Sequence, residues 1–204
     1  MLYTENLQKF YSEKRIWQGI PAIEKTKNGT LFSAFYSGGT REGNGNFCVL
    51  VRSRDDGATW SEPIAVAYNG EQSRCFDNCL WIDPIGRLWF IWSVMPDTSV
   101  WCAICDNPDA ENLSWSSVRR IADGIMMNKP TVLSTGEWLF PIAMWSDEIM
   151  NNMIKSKVLV EDFAPHNGLP FVYKTATNGE TFTRLGGPVV ENRSFDEQDR
   201  KSVV

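Results

Sequence analysis

The residues of this 204-residue chain that could do chemistry lie in short polar stretches that directly precede aromatic-rich segments. The clearest stretch is Arg74-Cys75-Phe76-Asp77-Asn78, and Arg193-Ser194-Phe195-Asp196-Glu197 repeats its Arg-x-Phe-Asp pattern. A carboxylate such as Asp77 can exchange a proton with a reacting group, and a guanidinium or carboxamide can hold a polar ligand. Arg–Asp pairs also tie neighbouring elements together, so the pattern leaves both roles open.

The elements that must position these groups are β-strands. Nine Trp and eleven Phe recur in short alternating runs bounded by Gly, Asn, Asp and Pro, a pattern typical of strands and turns. Leu88-Trp89-Phe90-Ile91-Trp92-Ser93 is one such run, and no segment shows a sustained helical period with caps. We therefore predict an all-β chain.

A unit of two strands joined by a glycine turn occurs three times. The turns contain Gly29, Gly86 and Gly136, at intervals of roughly 50 residues, which is the spacing of four-stranded propeller blades. The predicted fold is therefore an all-β β-propeller, with about three and a half blades in this chain.

A second repeated motif is a polar turn. Ser53-Arg54-Asp55-Asp56-Gly57-Ala58-Thr59-Trp60 matches the Asp-box, Ser-x-Asp-x-Gly-x-Thr-Trp. The aspartate is expected to accept backbone N–H bonds, the glycine to adopt positive φ, and Trp60 to plug the turn against its blade. Residues 175–182 form a weaker copy and residues 106–115 an eroded one. We assign a structural role and no catalysis to the motif residues Ser53, Asp55, Gly57, Thr59 and Trp60.

Polar residues just before each first strand are candidate ligand-binding residues. The first strand of each propeller blade lines the central channel, and ligands sit over one mouth of that channel. In chain order the candidates are Arg15, Gln18, Arg74, Asn78, Asn128, Lys129, Arg193, Asp196 and Glu197.

The Asp-box and the repeating units resemble the sialidase (neuraminidase) superfamily, specifically the bacterial sialidase-like proteins with bacterial-neuraminidase repeats. The resemblance runs from Arg15 to Glu197. It implies a six-bladed propeller of about twice this length. It also implies a glycoside hydrolase of the exo-α-sialidase type, which cleaves a terminal, acidic sugar at the propeller mouth.

The resemblance points to a second carboxylate besides Asp77. Residues 37–46 correspond by position to the family loop that delivers the acid/base carboxylate, and Glu42 is the nearest carboxylate there. Glycosidic hydrolysis needs one carboxyl group to protonate the leaving oxygen and a second group as nucleophile or base. Glu42 and Asp77 are therefore the predicted catalytic residues, expected at one mouth. The glycines around Glu42 are equally typical of a plain hairpin tip.

One position departs from the family pattern. Family members carry Phe-Arg-Ile-Pro in the first blade, where the arginine binds the carboxylate of sialic acid, whereas this chain has Gln18-Gly19-Ile20-Pro21. Glycine supplies no guanidinium fork. Arg15 and Arg41 are the candidates to replace it in binding substrate. The family's tyrosine nucleophile and two further arginines are expected in later blades that this chain lacks, so we expect the chain by itself to be inactive.

Other features exclude several classes of partner. The formal net charge of −5 argues against nucleic acid and anionic membranes. No apolar stretch is long enough to cross a bilayer, and the chain does not start like a signal peptide, so we expect a cytoplasmic protein. No phosphate-binding glycine loop occurs, and we expect no cofactor.

Cysteine and histidine give no metal site. Cys102 and Cys105 form a C-x-x-C, but residues three apart on a strand point to opposite faces, so we expect the five cysteines in the core. The single histidine, His166, falls in a predicted insertion over residues 149–169. One histidine there argues against a multi-histidine metal centre and a Ser-His-Asp hydrolase.

We predict one domain, a partial sialidase-like propeller over residues 1–198. The blade pattern ends after Gln198, and we interpret residues 199–204 as a non-native tail. The predicted partner is a carbohydrate, the terminal sugar of a glycan or oligosaccharide. A non-catalytic carbohydrate-binding propeller and a polysaccharide lyase on the same scaffold are the alternative functions.

Overall fold

Three antiparallel sheets, each built from consecutive strands, follow one another along the chain. The computed structural model describes residues 1–155, 170–187 and 191. The first sheet consists of β1 (Leu2–Tyr3), β2 (Trp17–Lys25), β3 (Leu31–Gly38), β4 (Phe47–Ser53) and β5 (Ala65–Ala67). Its strand order is β1-β5-β4-β3-β2, so β1 is added at the outer edge.

The second and third sheets have four strands each, in sequence order. The second consists of β6 (Arg74–Ile82), β7 (Leu88–Met95), β8 (Ser99–Cys105) and β9 (Arg119–Asp123). The third consists of β10 (Thr131–Val132), β11 (Trp138–Ala143), β12 (Pro170–Thr175) and β13 (Thr183–Leu185). Four-stranded antiparallel meanders that repeat along a chain are propeller blades, and we call the three sheets blades 1, 2 and 3.

The same glycine turn joins the first two strands of every blade. Gly29, Gly86 and Gly136 have φ angles of 96°, 92° and 89°, in the left-handed region that residues with a Cβ avoid. Each glycine N–H donates to the carbonyl three residues earlier, at 2.9–3.1 Å. A local requirement for positive φ therefore marks the same point in each repeat.

Alternating side chains build a core between each pair of blades. Between blades 1 and 2, Phe32 and Tyr36 of β3 meet Phe76 of β6 and Phe90 of β7. Between blades 2 and 3, Trp89 is part of a second core, whose blade 3 residues are Trp138, Phe140, Ile142 and Tyr173. Because both faces of β6, β7 and β8 are covered, blade 2 is the most buried sheet.

The N-terminal segment covers part of the other face of blade 1. Two short 3-10 helices, Leu7–Phe10 and Ser12–Lys14, follow β1. Leu7 and Phe10 are buried against Phe47 and Val49 of β4. This segment covers only the outer strands, and Ile23 of β2 stays 55% exposed.

One helix departs from the expectation of no helical segment. Helix α1 (Asp147–Lys155) lies in the long connection between β11 and β12, within the region where the sequence predicts an insertion. In the sequence, apolar residues recur at 149, 150, 153 and 154, a helical spacing. A helical pattern that extends over only nine residues is too short to be distinguished from the strand pattern around it.

The all-β propeller prediction is confirmed by this architecture. The predicted fourth unit around Arg193 and the predicted tail at 199–204 lie outside the described residues. In the part of the chain that is described, no helix has the length and apolarity needed to span a membrane.

Candidate functional site

Asp77 and Asn78 lie at an irregularity in β6, the first strand of blade 2. The pairing of β6 with β7 shifts register between Phe76 and Cys79, and Asp77 has a φ of 44°. Aspartate tolerates the left-handed region better than most residues, yet the conformation is uncommon and occurs often at functional sites. Asp77 is buried, with 3% of its surface exposed.

The first strand of blade 1 carries the same irregularity. The pairing of β2 with β3 shifts register between Gly19 and Ala22. Ile20 and Pro21 thus occupy the position in blade 1 that Asp77 and Asn78 occupy in blade 2. Bulges re-aim side chains and are common next to active sites, so the two strands present different chemistry at equivalent points.

Glu42 contacts two residues, Tyr36 of β3 and Arg74 at the start of β6. It lies in the loop between β3 and β4, where the Tyr36 hydroxyl donates a hydrogen bond to its Oε1 atom. Its Oε2 atom lies 3.3 Å from Nη2 of Arg74, and the Glu42 side chain is 44% exposed whereas that of Arg74 is 2% exposed. The carboxylate therefore lies between a buried guanidinium and solvent.

Tyr36 donates a hydrogen bond to one predicted catalytic carboxylate, Glu42, and the charge of the other, Asp77, acts on its hydroxyl. Burial raises the pKa of its hydroxyl, and the hydrogen bond to Glu42 and the negative charge of Asp77 raise it further, while Arg74 opposes them. Tyr36 therefore stays protonated and donates. Glu42 contacts Arg74, which lies three residues before Asp77 in β6, so both carboxylates belong to the junction of blades 1 and 2.

The guanidinium of Arg74 is buried on aromatic rings. It lies 3.9 Å from the ring centre of Phe76 and 5.9 Å from that of Tyr36. Among the described residues, Nε and Nη1 of Arg74 and both amide atoms of Asn78 have no hydrogen-bond partner. Buried polar atoms are normally satisfied, so these four atoms mark a place where a ligand or water would be bound.

A chain of aromatic rings forms a floor beneath this cluster. Trp17 and Tyr36 of blade 1 have ring centres 5.2 Å apart, Tyr36 and Phe76 6.3 Å, and Phe76 and Trp145 6.1 Å. Trp145 follows β11 of blade 3. Sequence reasoning missed Tyr36 and Trp145 because only contacts between blades give them their positions. The one available signal was that Tyr36 lies just before the Glu42 loop.

Gly19 is required by this aromatic packing. A Cβ atom there would lie 2.6 Å from the Trp17 ring and 2.7 Å from the Tyr36 ring, closer than real contacts allow. The space in which the family arginine would begin is therefore filled by Tyr36 and Trp17.

Arg15 is directed away from the cluster. Its Nη1 donates to the carbonyl of Phe10 at 3.0 Å, and its guanidinium lies 5.1 Å from the ring centre of Phe35, which is on the opposite face of β3 from Tyr36. Burial lowers its pKa. Gln18 and Arg41, by contrast, are exposed.

Lys129 lies in a contact that joins all three blades. Its ammonium forms an ion pair with Glu24 of β2 and donates to the carbonyl of Ile23 at 2.9 Å. The other oxygen of Glu24 accepts from the backbone N–H of Ile82 in β6, at 2.9 Å. This arrangement supports an architectural role for Lys129, while its neighbour Asn128 is half-buried.

Other predicted positions divide in two groups. Arg193, Asp196, Glu197 and His166 lie outside the described residues. The five cysteines are buried and unlinked, and Cys102 and Cys105 belong to different cores, as strand alternation predicts. No group of three or more His, Cys, Asp or Glu suited to a metal occurs in the described parts of the chain.

The Asp-box turn is held by its own side chains. Asp55 accepts from the Thr59 backbone N–H at 2.9 Å and from its hydroxyl at 2.6 Å, and the Ser53 hydroxyl accepts from the Gly57 N–H at 2.9 Å. Gly57 has a φ of 90°. Trp60 is 41% exposed, so in this structure it does not seal the turn against the blade as we expected.

Two clefts lie at the other end of the blades. A cleft of about 520 Å³ is lined by Arg52, Glu111 and Trp115 among others, and one of about 670 Å³ is lined by Asp55 and Asp109. Both adjoin the Asp-box turns, which lie at the opposite strand ends from the Glu42 loop. Neither of these two clefts is lined by Glu42 or Asp77, so their volumes do not identify the candidate site.

Comparison with solved structures shows the same fold. A protein of unknown function from Dyadobacter fermentans superposes with a TM-score of 0.61 at 15% identity, covering 88% of this chain and 57% of its own. The Hadza microbial sialidase Hz136 gives 0.56 at 15% identity, covering 83% and 37%. An α-L-arabinofuranosidase from Clostridium thermocellum gives 0.51 at 15% identity, covering 85% and 53%.

This chain therefore spans between 37% and 57% of the length of these structures. A search of curated proteins found no match. At the level of families, the BNR repeat-like domain matches residues 29–165. These residues include the Asp-box, the register shift in β6 and the site around Asp77. The predicted sialidase-like BNR relationship is confirmed, and the chain belongs to the BNR repeat-like domain family.

Proposed function

We propose that this chain supplies the first blades of a glycoside hydrolase that acts on the terminal sugar of a glycan. The observation that carries the proposal is that Glu42, held by Tyr36 and Arg74, meets the strand β6 three residues before Asp77 at its register shift. Most glycoside hydrolases use two carboxyl groups that flank the scissile bond. The named activities of two superposed structures, a sialidase and an arabinofuranosidase, support a sugar as the partner.

The two carboxylates have different surroundings, which suits different roles. Glu42 is nearly half exposed and its orientation is fixed by Tyr36 and Arg74. It would exchange a proton with the glycosidic oxygen at the mouth. Asp77 is buried at a strained position on the channel strand, and it would stabilise positive charge on the sugar or activate a water.

The exo-α-sialidase activity is the finer part of this proposal. It draws on the family resemblance and on the sialidase among the superposed structures. The family's nucleophile is expected in later blades, so turnover belongs to a protein that has the complete ring, and sugar binding is the activity expected of this chain.

A non-catalytic carbohydrate-binding propeller is the second candidate. One observation favours it: both oxygens of Glu42 are already engaged, by Tyr36 and by Arg74. A carboxylate held in this way can fix a loop without taking part in chemistry.

Substitution of the two carboxylates separates the candidates. In a protein with the complete ring, Glu42→Gln and Asp77→Asn are each expected to lower kcat/KM on a chromogenic glycoside by at least about a hundredfold, because each removes an acid–base group. Glu180→Gln, on the exposed turn of blade 3, is the matched control and should leave kcat/KM unchanged.

The same variants of the 204-residue chain are tested by ligand-observed NMR with methyl glycosides. Sugar binding without turnover by the protein with the complete ring would establish the binding propeller instead. Absence of both turnover and binding would refute the proposed function.

A further inference from the structure

Trp17 lies at the end of blade 1 that carries the Glu42 loop. It begins β2 and pairs with Gly38, the last residue of β3, so it lies beside the point where the loop leaves the sheet. The Ser37 hydroxyl donates to the Trp17 carbonyl at 2.6 Å, which holds the backbone of Trp17 in place.

The indole ring of Trp17 packs on Tyr36 and over a glycine. The two ring centres are 5.2 Å apart with an angle of 61° between the planes. The nearest positions on this face of the sheet are Gly19 along the strand and Gly38 across it, and neither has a side chain. A Cβ atom at Gly19 would lie 2.6 Å from the indole, so the ring occupies the space above that glycine.

The same end of the indole lies close to the group that holds Glu42. The Cβ position of Gly19 is within 2.7 Å of both Cη2 of Trp17 and Cζ of Tyr36, so these two carbons are neighbours. Cζ carries the hydroxyl that donates to Oε1 of Glu42. The indole is therefore next to the carboxylate to which the proposed function assigns proton transfer.

Trp17 differs from the core tryptophans in its exposure. Trp89 and Trp138 are at most 2% exposed, whereas Trp17 is only half-buried. Glu42, near it, has a side chain that is 44% exposed. A partly open aromatic ring beside a partly open polar group is the composition of a ligand-binding wall.

Polar atoms without partners belong to the same junction of blades 1 and 2. They are Nε and Nη1 of Arg74 and both amide atoms of Asn78, all buried and without hydrogen-bond partners among the described residues. They can bind ring hydroxyls or an acidic substituent. An aromatic wall together with such atoms suits a ligand that has an apolar face and a polar rim, as a sugar ring has.

We infer that Trp17 is the stacking platform of this site, on which the C–H face of a pyranose ring lies with its edge towards Glu42. Gly19 takes part by leaving room for the indole. The inference rests on the proposed function, because it assigns a sugar-binding residue to the same site.

Substitution of Trp17 in the 204-residue chain provides the first test. The probes are the methyl glycosides of galactose, xylose and sialic acid, titrated by ligand-observed NMR. For the probe that binds, Trp17→Leu should lower the affinity at least about tenfold, because leucine is apolar but has no flat ring. Trp17→Phe keeps a ring and should lower the affinity by less than about threefold.

The matched control is Trp60→Leu. Trp60 is 41% exposed and lies in the Asp-box turn, at the opposite strand ends from the Glu42 loop. Its substitution should leave the affinity unchanged.

Fluorine NMR provides a second test on the chain with all tryptophans in place. Labelling with 5-fluorotryptophan marks the nine tryptophans, and Trp17→Phe identifies the Trp17 signal by its loss. The probe that binds should shift the Trp17 signal and leave that of Trp60 in place. If Trp17→Leu does not fold, as judged by its amide spectrum, this measurement decides alone.

The outcomes keep the inference and the proposed function apart. A sugar that binds equally well to Trp17→Leu, or that leaves the Trp17 signal unmoved, overturns the stacking platform and leaves the proposed function standing. If none of the three glycosides binds, and the protein with the complete ring turns none of them over, both are refuted.

Discussion

Gly19 and Tyr36 show how a single residue decides the chemistry of the site. Tyr36 is fully buried and holds Glu42, and its ring fits only because position 19 has no side chain. Gly19 therefore does more than remove the binding arginine of the family: it leaves the space that the Trp17 and Tyr36 rings fill. An arginine introduced there would meet aromatic rings instead of an open mouth.

Gly19→Ala is the direct test of this packing. The added methyl group would overlap the Trp17 and Tyr36 rings, so we expect a loss of about 1–3 kcal/mol in the free energy of unfolding. Gly39→Ala is the control, because nothing lies within 4 Å of its Cβ position. It should change stability by less than about 0.5 kcal/mol. Equal effects of the two substitutions in denaturant titrations would contradict the packing argument.

At the scale of elements, the Asp-box turns show which contacts the motif needs. In blade 1 the Asp55 carboxylate accepts from the Thr59 N–H at 2.9 Å, and in blade 3 the Thr177 hydroxyl accepts from the Thr181 N–H at the same distance. The glycine N–H is likewise held by Ser53 in one turn and Thr175 in the other. A hydroxyl thus replaces a carboxylate with the turn preserved.

The turn of blade 1 should give a pH-dependent stability that the turn of blade 3 lacks. Hydrogen bonds from the Thr59 hydroxyl and N–H, and from Ser53, lower the pKa of Asp55 to about 2 from 3.8. Because folding favours the ionised form, the stabilisation is present above pH 3.8 and is lost as the pH falls towards 2. Asp55→Asn removes it.

Denaturant midpoints measured between about pH 6 and pH 2 check this prediction. The difference in denaturant midpoint between the unmodified chain and Asp55→Asn should be largest at the highest pH and shrink below pH 3.8. Asp56→Asn is the control, because Asp56 forms only an exposed pair with Lys25 and its φ of 57° also suits asparagine. A pH-independent difference for Asp55→Asn would count against the hydrogen-bonded carboxylate.

At the scale of the whole molecule, each blade holds the outer turn of the next one. Arg52 of blade 1 donates to the carbonyl of Ala110 at 3.0 Å, and Arg87 of blade 2 donates to that of Asn178 at 2.6 Å. The aromatic residues of these turns pack against the cores shared with the preceding blade, Trp115 against the core between blades 1 and 2 and Phe182 against the core between blades 2 and 3. Trp60 has no preceding blade to pack on in this structure, which explains its exposure.

Apolar surface is left on the outer faces of both end blades. Ile23 of β2 is 55% exposed and Leu185 of β13 is 38% exposed, and both point away from the cores between the blades. Exposed apolar side chains on uncovered sheet faces favour association.

We therefore expect the 204-residue chain to self-associate in sedimentation velocity as its concentration rises. Ile23→Ser should reduce association, because it removes apolar surface from the uncovered face of blade 1. Ile85→Ser is the control: Ile85 is equally exposed, at 59%, but lies in the turn between β6 and β7. A sharp monomer at all concentrations would contradict this prediction.

The sequence determined by itself those features that depend on residues close together along the chain. Strand alternation, the glycine turns at Gly29, Gly86 and Gly136, and the polar turn around Asp55 each rest on local backbone geometry or on hydrogen bonds within a few residues. For the same reason the periodicity predicts the blades and their order. The sequence did not predict helix α1, because its nine residues are too few to show a distinct helical pattern.

Only the tertiary structure decided which polar groups share a site. Arg15 lies just before β2 and Arg74 begins β6, yet Arg15 faces the N-terminal segment and Arg74 contacts Glu42. Tyr36 became part of the site through a contact with the Glu42 loop and with blade 2. Such contacts depend on how blades pack face to face, and packing between distant residues leaves no periodic signal in the sequence.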